Sequence, residues 1–382
     1  MKKIASLALT LSVFSISSCS ESIEPELNEN SEELNAAQIV LDKYYAATQT
    51  SRNASSPQIT RVSYNTYKIE PDTITEISEV ATLSRSVNDS VFTLTTAEFE
   101  IDGTNGFAIL SEDSNLNKVF YYTECGNPSD TTYNKGLAFI MNDIPAVAAS
   151  YLAETANTTS NTSSQTYNIG PLVRFKWGQG SPFNYYTTEC NCSTCSLPYY
   201  RWRNPIGCVP IAVAQTIATV GRFRSTYYGS RSYNFSQLPE YAPHDLPAQN
   251  ANVTILAHFL HEVAVNCQTK FACAGSGASP MAAYRYLNDL GYLCSYVNGG
   301  YIVIDKLIEN LQAGSPTLVS GFVSTTGSGH MWIVDGFRNT SGTNEYHCNW
   351  GWDGSSNGWA ADYWTANSNS SYPINRSYIY LR

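Results

Sequence analysis

The stretch NPIGCVPIAVAQTIATVG, Asn204 to Gly221, narrows the folds open to this chain more than any other. From Val209 to Val220 apolar side chains fall on nearly every face, interrupted only by Gln215, Thr216 and Thr219. A helix apolar all round is a central helix, covered by other elements on every side. Pro210 is tolerable only in a helix's first turn, where its missing N–H is not needed, and Gly207 supplies the turn before it. Cys208 is therefore expected at or just before the N-terminus of a buried helix. Unpaired N–H groups and the helix dipole there favour a thiolate over a thiol. Such a cysteine is a packing residue, half of a disulfide, or a nucleophile, and a nucleophile needs a base from elsewhere in the chain.

The chain has five histidines: His244, His258, His261, His330 and His347. His330 stands in TTGSGHMWIVDGF, after a Gly-Ser-Gly turn and at the head of a strand alternating Met331 and Ile333 against Trp332 and Val334. That position predicts a side chain open to a cleft rather than packed in a sheet. Nineteen residues later comes NWGWDG, with Asn349 and Trp350. An Asn oxygen accepting from one imidazole nitrogen fixes the tautomer that lets the other take a thiol proton, and an indole shields that bond from water. Upstream, KWGQGSPFN sets Gln179 in a glycine-flanked loop, where its amide can join the Cys208 N–H in binding a developing oxyanion.

The surrounding pattern divides the 382 residues in two. Residues 37–50 have helical spacing, and from Ile59 to Tyr122 short alternating runs separated by polar turns predict an antiparallel sheet. A helical stretch from Gly136 to Thr155 follows. Ala156 to Thr166, ANTTSNTSSQT, has no apolar anchor and reads as a linker open to proteolysis. All seven tryptophans lie beyond it. This second region predicts helices at 252–267, 279–290 and 303–313, then strand-like runs PTLVSGFVS, HMWIVDGF, EYHCNW and SYIYLR. Helices first and antiparallel strands after indicate an α+β domain with segregated parts.

The chain begins MKKIASLALTLSVFSISSCSESIEPE. Lys2 and Lys3, a short apolar run and small residues before Cys19 predict a secretory signal over residues 1–19. Cys19 itself is placed like the lipidation site of bacterial lipoproteins, which would tether the protein to a membrane surface. The expected location is outside the cytoplasm, as an outer-membrane or cell-surface lipoprotein or secreted after processing, where disulfides are permissible. A formal net charge of −10 argues against nucleic acid as a partner.

Ten cysteines occur. Without Cys19 and Cys208 eight remain, a number compatible with full pairing although the connectivity is not readable. Cys190, Cys192 and Cys195 in ECNCSTCSLP lack the paired spacings of a complete zinc site, and disulfides are the expectation there. His258 and His261 in HFLHEV lack the H-E-x-x-H offset and read as one face of an ordinary helix, and His347 as a core residue of a strand. No metal or cofactor is expected.

WGQGSPFN, GCVPIAVAQTIA, LGY at Leu290 to Tyr292, LQAGSPTLVSG, GHMWIVDGF and YHCNWGWDGSSNGW together resemble the streptopain-like cysteine peptidases of the papain-like group, in the family's order from Lys176 to about Trp359. TTAEFEIDGTNGFAILSED is similar to the family's propeptide sheet. The resemblance implies a papain-like peptidase domain over 166–382 and an inhibitory α+β prodomain over 20–165. It implies Cys208 as nucleophile, His330 as base and Gln179 as oxyanion donor, with Asn349 and Trp350 beside the histidine. Protein and peptide substrates and the chain's own prodomain are the expected partners. Pro210 departs from the family pattern, where a small residue is usual, and so does Asp353, where glycine is usual; the second bears on the loop near the cleft and on substrate preference. The rival readings are an idle papain-fold binding module and a Cys-His amidase acting on peptidoglycan. The intact trio of Cys208, His330 and Gln179 speaks against the first and the prodomain-like half against the second.

Overall fold

The computed structural model describes residues 31–48, 55–70, 73–77, 91–132, 134–155, 166–196, 199–221, 233–244, 250–300, 302–322, 329–340, 343–361 and 376–381. The signal segment with Cys19 and the whole 156–165 linker lie outside them.

The N-terminal half follows the alternation of its sequence. Helix α1 (Ser31–Thr48) is followed by strands β1 (Gln58–Glu70), β2 (Thr73–Ile77), β3 (Val91–Ile101), β4 (Thr104–Ser111) and β5 (Lys118–Thr123), then helix α2 (Lys135–Thr155). Ala97, Phe99 and Ile101 of β3 pack with Ala37, Val40 and Leu41 of α1 on one face, while Phe92 and Leu94 turn to the other. Successive strand residues point to opposite faces, so one sheet serves two cores.

The second half carries β6 (Asn168–Ile169), α3 (Cys208–Val220), α4 (Ala251–Asn266), α5 (Pro280–Asp289), β7 (Cys294–Asn298), α6 (Ile304–Gln312), β8 (Thr317–Phe322), β9 (Gly329–Thr340), β10 (Thr343–Asn349), β11 (Gly358–Ala361) and β12 (Ser377–Leu381). Helix α3 is central as its composition requires: Val209 to Ala218 are all buried. It starts at Cys208 and ends on Gly221, whose φ of 76° suits a residue without a Cβ.

The sequence showed two sheets; the structure joins them. The strand order β2-β1-β3-β4-β5-β11-β10-β9-β8-β12-β7 runs through both halves, with every pairing antiparallel and β6 paired to β9. The seam is the short pairing of Trp359 with Tyr122 and Ala360 with Tyr121. Strands β7 and β11 are short and were not legible as separate runs, and β11 supplies the edge on which the N-terminal sheet docks. Along β9 the alternation divides two cores. Met331 and Ile333 pack with α3, whereas Trp332 and Val334 pack with Leu137, Phe139 and Ile140 of α2.

The full pairing with which eight cysteines are compatible is not formed. Cys190 is bonded to Cys273, and Cys125, Cys208, Cys267, Cys294 and Cys348 are outside any disulfide. Cys267 and Cys348 are fully buried and fill core space as small hydrophobes.

Candidate active site

Cys208 sits in the first turn of α3, beyond Gly207, whose φ of 99° makes the turn into the helix. No side chain caps this helix, so its first N–H groups are open. The backbone N–H groups of Met331, Val209 and Cys208 itself reach the thiol and favour its charged form. Burial acts the other way and is the larger effect, so the thiol is held above its ordinary range. The helix start alone predicted a thiolate. In this form of the chain desolvation outweighs the dipole.

His330 is the second residue of β9 and, contrary to the open position predicted for it, is buried. It is placed opposite Gly321 of β8. Its ring lies nearly parallel to Trp332 and Trp352, with centroids 6.3 and 6.4 Å away. The remaining cover comes from the N-terminal half: a Cβ added at Gly136 would lie 2.7 Å from His330 Cδ2 and would also strike the Trp350 ring. Burial pushes the imidazole down to about 4, with the Trp350 carbonyl opposing. Cys208 and His330 line one cleft of about 510 Å³ together with Ser276, Gly277 and Met331. No hydrogen bond joins the two side chains, and both are neutral near pH 7.

Gln179 is buried in the loop before α3. Its carbonyl accepts from Ile206 N at 2.9 Å, which ties the loop to the segment two residues before Cys208. Its backbone N–H donates to Tyr199 Oη at 3.3 Å.

The acceptor for His330 is supplied by Trp350 and not by Asn349. His330 Nε2 donates to the Trp350 backbone carbonyl at 2.9 Å, which leaves Nδ1 as the proton-accepting nitrogen. The Asn349 side chain instead donates to the Phe175 carbonyl at 3.0 Å and accepts from Gly351 N at 3.1 Å. It braces the end of β10 against the segment leading to Gln179. The Trp350 indole donates to the Ser356 carbonyl at 2.6 Å and does cover the histidine's strand. Sequence reasoning missed the carbonyl because a backbone acceptor leaves no mark on residue identity.

Asp353 lies across the same loop. Tyr199 Oη donates to Asp353 Oδ2 at 3.2 Å, and His244 Nε2 is 3.7 Å from the same oxygen. Burial pushes this carboxyl up to about 6 against the opposing influence of His244 and Tyr199. The other histidines are placed as expected: His258 stacks on Tyr186 and His261 on Phe271 along one helix, and His347 Nδ1 is 2.6 Å from Asp335 Oδ1 inside the sheet. The Cys192 sulfur lies 3.4 Å from Cys190, beside the Cys190–Cys273 disulfide; the Cys195 side chain is outside the described residues.

Residues 177–360 match the model of the Peptidase C10 family. The match covers just under half of the chain and makes that region similar to the family. The chain's second half has a papain-like fold, preceded by an α+β N-terminal half. Among curated relatives, the thiol protease/hemagglutinin PrtT of Porphyromonas gingivalis is 24% identical over 201 residues, 48% of this chain and 22% of that protein. The chain thus spans about a fifth of that relative's length. Among solved structures, a prointerpain A fragment of Prevotella intermedia aligns at a TM-score of 0.53 with 16% identity, covering 74% of this chain and 94% of the fragment. Active interpain A of the same organism aligns at 0.42 with 17% identity, covering 58% and 98%.

Proposed function

We propose that this chain is the zymogen of a cysteine endopeptidase, exported from the cytoplasm and tethered through lipid on Cys19. The N-terminal half, about 20–165, is the prodomain that keeps it latent until the 156–165 linker is cut. The observation that carries the reading is the shared cleft of Cys208 and His330, whose imidazole is oriented by the Trp350 carbonyl so that Nδ1 can accept a proton.

The chemistry is acyl transfer. With the prodomain gone, His330 takes the Cys208 proton and the sulfur attacks a substrate carbonyl. The Gln179 amide and the Cys208 N–H receive the oxyanion of the tetrahedral intermediate. His330 then gives its proton to the leaving amine, and water hydrolyses the thioester. Prodomain contact with His330 through Gly136 accounts for a dyad that shares a cleft without being bonded.

A labelled thiol-directed peptide inhibitor tests this on the full chain. Capture of Cys208 is expected only after cleavage within 156–165. Cys208→Ala should abolish hydrolysis of a denatured protein, and Gln179→Ala should slow it about 10²–10³-fold. Equal, modest losses in both variants, or no capture in either form, would sink the assignment.

A further inference from the structure

Asp353, the position departing from the family's glycine, attaches to the cleft in a way its sequence context did not indicate. Its carboxylate lies against Gly178, where an added Cβ would collide with both oxygens, so the loop can approach only because that residue is glycine. Two chains of contacts then run from Asp353 back to the same loop. One passes through Tyr199, whose hydroxyl donates to Asp353 Oδ2 at 3.2 Å and accepts from Gln179 N at 3.3 Å. The other passes through His244, whose Nε2 faces Asp353 Oδ2 at 3.7 Å while Nδ1 donates to the Ser181 carbonyl at 2.6 Å. The Ser181 hydroxyl donates back to the His244 carbonyl at 3.2 Å. Gln179 N and the Ser181 carbonyl, two residues apart on one loop, are thus held by residues that meet on one carboxylate.

We propose that Asp353 is a positioning residue for the oxyanion loop, acting through Tyr199 and His244 on the backbone of Gln179 and Ser181. This rests on Gln179 being the oxyanion donor. An amide aimed at a developing charge is effective only if its backbone is already fixed, because realignment during the reaction forfeits the gain. Asp353 also follows Trp352, which stacks between His330 and Tyr199 with centroids 6.4 and 6.3 Å away, so one short loop braces base and oxyanion donor together.

The test uses the full chain, processed, with a peptide amide substrate. Asp353→Asn keeps shape and volume but removes the charge that Tyr199 and His244 converge on. Its kcat should fall about 10- to 100-fold, as displaced catalytic geometry does, with KM unchanged. Alkylation of Cys208 by a small haloacetamide, which forms no oxyanion, should keep its wild-type rate. The double variant Gln179→Ala/Asp353→Asn should be no slower than Gln179→Ala alone, since both act through one group. Wild-type kcat in Asp353→Asn, a raised KM with unchanged kcat, or additive losses in the double variant would each overturn the proposal. Should Asp353→Asn fail to accumulate, Tyr199→Phe removes the hydroxyl linking Gln179 to Asp353 and carries the same expectation and refutations. A wild-type rate in Gln179→Ala, or activity surviving Cys208→Ala, would instead bring down the reading beneath it.

Discussion

The two walls of the cleft are built differently. Cys208 and its helix sit in a core formed, among the described residues, by the C-terminal half alone: Ile211, Val213 and Ile217 of α3 pack with Leu256, Phe259 and Leu260 of α4 and with Met331 and Ile333 of β9. His330 shares its face of β9 with Trp332 and Val334, and that core is completed by Leu137, Phe139, Ile140 and Val147 of the N-terminal half. The Trp350 loop is tied the same way. Asp130 Oδ2 accepts from Ser355 and Ser356, Tyr121 Oη donates to the Ser356 carbonyl, and Cys125 O accepts from Ser356 N. Cys208 therefore stands on structure built within the C-terminal half, and His330 on structure shared with the N-terminal half. On the proposed zymogen reading, the half of the dyad held back is the histidine.

A buried charged contact across the shared wall is the ion pair of Asp143 on α2 with Arg376 just before β12, at 2.9 Å with both side chains almost wholly buried. Removing one partner of a buried pair leaves an uncompensated charge, which costs about 3–5 kcal/mol. Asp143→Ala should lower the unfolding free energy of the full chain by that amount in denaturant titration. The same variant should give thiol-directed capture of Cys208 without linker cleavage. A change below about 1 kcal/mol, within the range of an exposed ion pair, would show that the wall does not depend on this contact.

Gly136 is a smaller and more local lever. Its substitution by alanine puts a methyl group against the His330 ring edge and the Trp350 ring, and overpacking of this kind costs about 1–3 kcal/mol. Hydrogen exchange in the full chain should quicken along β9 and β10 while α3 amides keep their protection. Equal quickening of α3 would break the distinction between the walls.

Much of this division was legible in the residues. The all-round apolar run after Cys208 required a covered helix, and alternation on β9 already separated Met331 and Ile333 from Trp332 and Val334. What covered the second set was not legible, because a strand's face shows that it is buried but not by what. The same limit hid the joined sheet, whose seam rests on two residue pairs of the short strand β11. At the site, cysteine, histidine and glutamine were singled out from local chemistry, since each proposed role needs a particular side chain. The orienting acceptor of His330 is a main-chain carbonyl, which any residue supplies, and Asn349, the side chain expected in that place, braces the backbone instead. Asp353 stood out only as a departure, and its partners Tyr199 and His244 lie 154 and 109 positions away in the chain.

The subtlest difference between the walls is electrostatic and appears in a pH profile. In the latent chain burial holds the Cys208 thiol above its ordinary range and pushes His330 down to about 4. Above pH 4 the imidazole is then neutral, so it offers the sulfur no positive charge, and the sulfur stays protonated until the pH passes the ordinary thiol value of about 8.5. Haloacetamide alkylation of Cys208 in the uncut chain should accordingly be slow at pH 6 and climb through pH 9 without a plateau. Once the linker is cut and the prodomain has left, His330 gains solvent and a path to the sulfur. A thiolate–imidazolium pair then forms, and the rate should level off well below pH 8, because a cationic neighbour lowers a thiol's pKa by favouring its charged form. Identical profiles before and after cutting would mean that the prodomain leaves the charge state of the base alone, and the histidine wall would lose its claim to be the seat of latency.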